Sequence, residues 1–182
     1  MQHSSNSYIL KDGRSVIVRA PSVDDAQALV DLKRAYLHGT TTIPMTIDDY
    51  PDNSVRETEL ITNYGVSRNS VLLLAESETG LVGNIDLTGS ARSKMHHTAM
   101  LGMGILEDWR GIGLGSILVQ SALNWARDES ALRVIWLDVY ASNTAGVKLY
   151  RKSGFEVSGT VPAFFKDGYT YHDKVQMYLQ LR

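Results

Sequence analysis

The chain has 182 residues, of which 43% are hydrophobic, and this suits one globular domain with a substantial core. Its formal net charge of −2 gives no electrostatic case for a nucleic-acid or membrane partner, and the absence of cysteine excludes disulfides, thiolate metal ligands and a cysteine nucleophile. We expect a single domain over residues 1–182 in the cytoplasm, because the first seven residues are polar and no run is long enough to span a membrane.

The first half of the chain predicts a strand, two helices separated by a loop, and a hairpin. Alternating apolar residues identify the strands. A serine followed three residues later by an acidic residue marks the start of each helix as a capping box. In chain order the elements are Ser15–Arg19, Ser22–Leu37, the loop 39–53, Ser54–Tyr64, and the hairpin strands Val71–Glu76 and Leu81–Leu87.

The second half predicts strand, helix, strand, helix and two further strands. These elements are Thr98–Ile105, Leu114–Arg127, Arg133–Val139, Thr144–Ser153, and a strand pair within Phe155–Leu181. Gly102 and Gly104 interrupt the first of these strands, which indicates either a bulge or a close approach of another backbone.

A glycine-rich turn, R-G-I-G-L-G at Arg110 to Gly115, joins the first of these strands to the helix that follows. The glycines leave successive backbone N–H groups unshielded, and the helix adds its unpaired donors and the positive end of its dipole. The turn therefore predicts an anion site for phosphate. The alternative is that the glycines only allow close packing of helix and strand. The spacing differs from the dinucleotide fingerprint, and no P-loop lysine follows.

A second motif reads W-L-D-V-Y-A-S-N-T-A from Trp136 and continues as L-Y-R-K-S-G-F to Phe155. Together with R-x-x-G-x-G it resembles the GCN5-related N-acetyltransferase (GNAT) family over roughly residues 70–180. The ribosomal-protein N-acetyltransferases and the small amino-acid N-acyltransferases are the most similar members. The resemblance implies a single-domain mixed α/β fold, in which a twisted, mostly antiparallel sheet contains a splayed parallel central strand pair and is flanked by about four helices.

The resemblance also implies acetyl-CoA as the acyl donor, without a metal. The pantetheine arm would enter between the two splayed strands, and the pyrophosphate would bind the amides of the glycine turn. Asn143 would bind the arm, or would only begin the next helix. The residues so assigned to acetyl-CoA are Met103, Gly104, Ile105, Arg110, Gly111, Ile112, Gly113, Leu114, Gly115, Ser116 and Asn143.

Two residues are implied for catalysis. Tyr150 is the candidate general acid, since a phenol of pKa about 10 can protonate a CoA thiolate of pKa about 8.5, and its alternative is an aromatic packed on the sheet. Asp138 matches the position where the ribosomal-protein enzymes carry a glutamate proposed as base. It is one methylene shorter, so its help would pass through water. Its alternative is a strand-end carboxylate that faces solvent or a cationic neighbour.

Further residues are candidates for the acceptor side. Glu76 and Asp86 are alternatives for holding the acceptor's ammonium, or are polar positions on their strands. Phe164 and Tyr169 lie in an aromatic cluster that would wall an acceptor pocket with Ile43–Met45, although hairpin packing or a dimer contact explains them equally. His96–His97 suggests a metal, but adjacent strand residues point to opposite faces and no third ligand is apparent.

The sequence therefore predicts an acetyl-CoA-dependent N-acetyltransferase that acts on a primary amine, an amino acid or small metabolite, by direct transfer in a ternary complex. A homodimer is possible. The alternatives are a protein N-terminal or lysine acetyltransferase, a CoA-binding sensor without turnover and, more distantly, a dinucleotide-binding protein.

Overall fold

A computed structural model describes residues 5–38 and 40–181. It contains one sheet in the order β1-β2-β3-β4-β5-β6-β8-β7. The strands are β1 (Asn6–Ile9), β2 (Ser15–Arg19), β3 (Val71–Ser77), β4 (Gly80–Gly89), β5 (Thr98–Ile105), β6 (Val134–Tyr140), β7 (Glu156–Asp167) and β8 (Thr170–Gln180), and the α-helices are α1 (Ala26–Leu37), α2 (Ser54–Val66), α3 (Leu114–Asp128) and α4 (Thr144–Lys152). Within the described ranges, no helix is long and apolar enough to cross a membrane.

The central strands β5 and β6 form the parallel pair of an otherwise antiparallel sheet. Their pairing covers only the segment from Thr98↔Val134 to Met100↔Trp136. Beyond it, β5 runs on to Ile105 and β6 to Tyr140, so the two strands separate and leave a cleft. This sheet and its four α-helices confirm the fold that the resemblance implied.

Apolar side chains cover both faces of the sheet. On one face, Leu118 of α3 packs in a core with Ile135 and Leu137 of β6. On the other, Leu29 of α1 and Ile61 of α2 pack against alternate residues of β3. Each fully buried leucine or isoleucine side chain stabilises the fold by about 1.5–3 kcal/mol. We call the second side the α1/α2 face.

The start of α2 differs from the prediction. The helix begins at Ser54, but its N-cap is Asn53, whose side-chain oxygen accepts hydrogen bonds from the amides of residues 55 and 56. Glu57 does not complete a capping box, because its buried carboxylate accepts hydrogen bonds from Tyr50 and from Lys33. By contrast, Asp25 does accept the Ser22 amide at 2.7 Å before α1. Of the predicted loop, residues 40–53 contain no helix or strand, and Gly39 lies outside the described residues.

The bulge predicted for β5 is wrong. The β4–β5 register is unbroken from Gly83↔Ile105 to Gly89↔Ala99. The two glycines instead allow close approach by side chains, not by a backbone. A Cβ on Gly104 would overlap the ring of Tyr36, and a Cβ on Gly102 would lie 2.8 Å from Oδ1 of Asp86.

The expectation that His96 and His97 are strand residues is also wrong. Both lie in a turn before β5, so strand alternation does not separate their side chains. The ring Nδ1 of His96 lies 3.1 Å from Nδ2 of Asn69. Among the described residues, no group of three or more side chains could hold a metal ion.

Candidate active site

The glycine turn presents unpaired amides at the start of α3. Gly111 and Gly113 have φ of +75° and +104°, values that favour glycine. The amides of residues 111–115 donate no hydrogen bond within the described part of the chain, whereas Ser116 already donates to the carbonyl of Gly113 at 3.1 Å. Such amides, at the positive end of a helix dipole, fit a phosphate group. Ser116 was predicted as part of this set, and the structure commits its amide to the first turn of α3.

Gly115 has a different role from the other two glycines. A Cβ at this position would lie 3.0 Å from Cδ2 of Leu149 on α4. The close-packing explanation therefore applies to Gly115, while the backbone conformation requires glycine at Gly111 and Gly113.

Only some of the backbone groups on β5 face the cleft. The amide of Leu106 donates to Val82 of β4 at 3.0 Å. In an antiparallel pair, alternate residues bond to the same neighbour, so Gly104 is paired with β4 while Met103 and Ile105 point their polar groups towards β6. The Ile105 carbonyl accepts Nε of Arg110 at 2.9 Å. Met103 and the Ile105 amide therefore remain to contact a pantetheine arm.

Tyr150 lies buried on α4, with its ring edge-on to Phe155 at a centroid distance of 5.8 Å. Burial raises the pKa of Tyr150 to about 12, so the phenol keeps its proton at neutral pH. Its hydroxyl forms no hydrogen bond with any residue that the structure describes. The phenol therefore carries the proton that the predicted general acid would give up, and its raised pKa makes it a weaker acid than an exposed tyrosine.

Asn143 is the N-cap of α4, and its side-chain oxygen accepts the amide of Gly146 at 2.9 Å. The helix-start role predicted as one alternative is therefore present. It leaves the side-chain NH₂ to donate to a ligand, so the two predicted roles are compatible.

Asp138 and Asp86 lie on the α1/α2 face of the sheet, on opposite sides of the cleft. For Asp138 this follows from alternation with Leu137 and Val139, which lie in the other core. Asp86 is opposite Leu72, a member of the α1/α2 core, and cross-strand partners share a face. Both carboxylates therefore lie on the same face of the sheet, one on each side of the cleft.

Both carboxylate oxygens of Asp138 are engaged. Lys174 donates to Oδ2 at 3.0 Å and Gln176 to Oδ1 at 3.2 Å, both from β8. The Lys174 ammonium is itself held 3.9 Å above the ring of Phe164. A cationic neighbour was the predicted alternative for Asp138, and the Lys174 ammonium balances the negative charge that Asp138 would need as a base.

Asp86 has one engaged and one available oxygen. Tyr64 and Thr88 both donate to Oδ2, at 3.2 and 2.9 Å, and burial raises the pKa of Tyr64, so that phenol stays protonated. Oδ1 is directed at Gly102, two residues beyond the last β5–β6 pair. Desolvation is the main cause that raises the pKa of Asp86. A carboxylate anchored in this way can bind an ammonium or accept a proton.

Glu76 does not reach this place. It lies on β3, two strands from β5, and its Oε2 accepts Nε of Arg19 at 2.6 Å. Arg19 also binds Asp25 at the start of α1, so Glu76 belongs to an ion-pair cluster at the far side of the sheet.

A cavity of about 250 Å³ lies between the loop after α1 and the β7–β8 hairpin. Phe164 lines it together with Ile43–Met45, and Tyr140 at the end of β6 stacks on Phe165 with a centroid distance of 4.1 Å. Tyr169 is fully exposed at the tip of the hairpin and lies outside the cavity. A larger cavity of about 710 Å³ lies where α2 ends. Tyr64, which donates to Asp86, is one of the residues that line it.

These features agree with a comparison at the family level. The model of the acetyltransferase (GNAT) family matches residues 33–155. The chain therefore belongs to the GNAT family.

Individual relatives are more distant. The L-amino acid N-acetyltransferase AaaT of Escherichia coli strain K12 is 26% identical over 115 residues, which cover 61% of this chain and 66% of that protein, just under two thirds of its length. A GNAT-family acetyltransferase structure from Streptococcus pneumoniae superimposes with a TM-score of 0.86 at 27% identity, covering 92% of this chain and 99% of that one. The yncA structure from Salmonella typhimurium, which contains acetyl-CoA, superimposes with a TM-score of 0.80 at 19% identity, covering 98% of this chain and 95% of that one.

Proposed function

We propose that the protein transfers the acetyl group of acetyl-CoA to the primary amine of an amino acid or another small metabolite, by direct attack in a ternary complex. The observation that carries this proposal is the free Oδ1 of Asp86 above Gly102, beside the cleft between β5 and β6. It sets a proton acceptor next to the place where the thioester of a GNAT donor would lie. The sequence has no cysteine, which favours direct transfer over a cysteinyl intermediate.

The chain's own residues divide the work. The amides of residues 111–115 bind the pyrophosphate, and the Met103 amide polarises the thioester carbonyl, a kind of contact typically worth about 2.7–4 kcal/mol. Asp86 holds the acceptor ammonium and accepts its first proton, which frees the nitrogen lone pair, and then passes that proton to solvent. As the N–C bond forms, the nitrogen gives a second proton to Asp86, and as the C–S bond breaks, Tyr150 gives its proton to the sulfur. Solvent then takes the proton from Asp86 and returns one to Tyr150.

Asp86 replaces Asp138 as the proposed base because of their partners. The Lys174 ammonium and the Gln176 amide occupy both oxygens of Asp138. We assign Asp138 to positioning of the β8 side of the cleft. Phe164 and the neighbouring loop residues form the wall of the acceptor site, and a cavity of about 250 Å³ suits a small acceptor.

The name of the AaaT relative supports an amino-acid acceptor. An α-amino group has a pKa near 7.7–8.0, whereas an alkyl ammonium has about 10.4, so an α-amine loses its proton at much lower cost at neutral pH. We therefore expect free amino acids to be better acceptors than simple alkyl amines.

The test is a panel of amines incubated with acetyl-CoA, with release of the CoA thiol and the mass of the product measured together. The panel contains amino acids, alkyl amines, a peptide with a free N-terminus and a peptide with an internal lysine. We expect acetylated amino acids. Acetylation of the peptides alone would favour a protein acetyltransferase. Acetyl-CoA binding without release of CoA on any amine would favour a sensor and contradict the proposal.

A further inference from the structure

The turn between β1 and β2 is docked on the phosphate-binding turn. The amide of Lys11 donates to the carbonyl of Ile112 at 3.1 Å. Arg14 donates to the carbonyl of Asp108 at 2.8 Å, and its guanidinium lies 4.1 Å above the ring of Trp109. These contacts fix residues that are about a hundred positions apart in the chain. The first hairpin therefore forms one wall of the proposed phosphate site.

The side chain of Lys11 runs across the turn itself. Its Cγ and Cε lie 3.7 and 3.8 Å from the point where a Cβ on Gly113 would stand. Its ammonium makes no ion pair or hydrogen bond with any residue that the structure describes. The neighbouring acid, Asp12, is bound to Nε of Arg14 at 2.7 Å, so its charge is already balanced.

The unpaired amides of the turn supply dipoles but no net charge. Arg110, the cation within the motif, uses its Nε to hold the Ile105 carbonyl. That bond to a neutral carbonyl leaves Arg110 charged but ties its side chain to the end of β5. Lys11 is the lysine whose side chain lies over Gly113, and its ammonium has no ion-pair partner among the described residues. A lysine ammonium beside a row of backbone amides is a common solution for binding phosphate.

We propose that Lys11 is a binding residue for the pyrophosphate of acetyl-CoA. This inference rests on the proposed function, and it concerns a residue outside the segment 33–155 that matches the family model. Because Lys11 is exposed, solvent screens its charge, and we expect an effect of about tenfold on affinity rather than complete loss of binding.

The experiment measures the Kd of acetyl-CoA for the wild type, Lys11→Met and Lys11→Arg. Methionine keeps the apolar stem over Gly113 and removes the charge, so we expect about tenfold weaker binding, while arginine should stay within about twofold. Lys94→Met removes the same charge from an exposed position before β5, at the other end of that strand, and should leave the Kd unchanged. Melting temperatures of all variants show whether each is folded.

Two shortened acetyl donors identify which phosphate group of acetyl-CoA Lys11 contacts. Acetyl-3′-dephospho-CoA keeps the pyrophosphate, so Lys11→Met should weaken its binding by the same factor. An N-acetylcysteamine thioester has no phosphate, so its turnover should not change. Equal Kd values for wild type and Lys11→Met would overturn the inference alone, and so would a penalty that disappears with the dephospho donor. Failure of the wild type to bind acetyl-CoA would overturn the inference and the proposed function together.

Discussion

The proposed phosphate-binding turn and the proposed acceptor face differ in how the chain encodes them. The turn consists of consecutive residues whose backbone amides would bind the phosphate, so glycine spacing and the following helix indicate it. The acceptor face, as proposed, combines the β4 carboxylate Asp86 with Tyr64 of α2 and a cavity between a loop and a distant hairpin. A site built from consecutive backbone groups can be predicted from the sequence. A site built from side chains of distant segments depends on tertiary contacts that the sequence pattern does not reveal.

Asp86 and Asp138 show the same dependence on tertiary contacts. Each is the one acidic residue of its strand, and both lie beside the cleft. Their partners separate them: Tyr64 and Thr88 anchor one oxygen of Asp86, while Lys174 and Gln176 occupy both oxygens of Asp138. The kind of partner, rather than the kind of strand, determines which carboxylate is available.

The largest effect is expected from Gly113→Asp in the phosphate turn. The change forces an L-residue to φ near +104° and sets a negative charge where phosphate would bind. We expect the Kd of acetyl-CoA to rise by about 100-fold or more. Gly80→Asp is the matched control, because Gly80 has φ of +119° in the β3–β4 hairpin away from the turn. Equal weakening by both variants would mean that backbone strain, not the anion site, is responsible.

Next in size is Tyr150→Phe, which tests the proton donor on α4. We expect kcat to fall by about 100-fold, with the KM for acetyl-CoA nearly unchanged, because the lost interaction acts only in the transition state. Steady-state kinetics with the best acceptor measures both constants. A kcat within about twofold of wild type would show that water or another group protonates the sulfur.

A smaller effect is expected from Gly102→Ala, which perturbs the acceptor face without removing a polar group. The new methyl would meet Oδ1 of Asp86 at 2.8 Å and push the carboxylate aside. We expect kcat/KM for the amine to fall by about tenfold while acetyl-CoA binds normally. The melting temperature shows whether the variant is folded, because moving the carboxylate also strains its hydrogen bonds from Tyr64 and Thr88. Unchanged kcat/KM would mean that Asp86 does not act above Gly102.

Sequence periodicity and turn chemistry predicted most elements to within a few residues. They did not predict β1, whose four residues are too few for a pattern. The N-cap of α2 was misplaced because Asn53 and Ser54 are both good caps, and the choice depends on Tyr50 and Lys33 binding Glu57 in the folded chain. Local pattern cannot anticipate such tertiary contacts.

The candidate site shows the same division. The glycine turn, Tyr150 and Asn143 follow from two contiguous motifs. The engagement of Asp138 depends on Lys174, which lies 36 residues further along the chain. Lys11 reaches the glycine turn from the first hairpin, and no local signal marks it. Alternation predicted that Asp86 lies on a strand face. Whether its Oδ1 can lie over β5, however, depends on Gly102 of that strand having no side chain.

The most direct test of the central claim compares Asp86→Asn with Asp138→Asn in kcat/KM for the amine between about pH 6.5 and 9.5. Burial raises the pKa of Asp86, so a base there works as the carboxylate and loses activity as pH falls towards that pKa. We predict that Asp86→Asn loses about 100-fold near neutral pH and less as the pH nears the amine's own pKa, while Asp138→Asn stays within about threefold. A full loss in Asp138→Asn with normal activity in Asp86→Asn would contradict the account and return the base to β6.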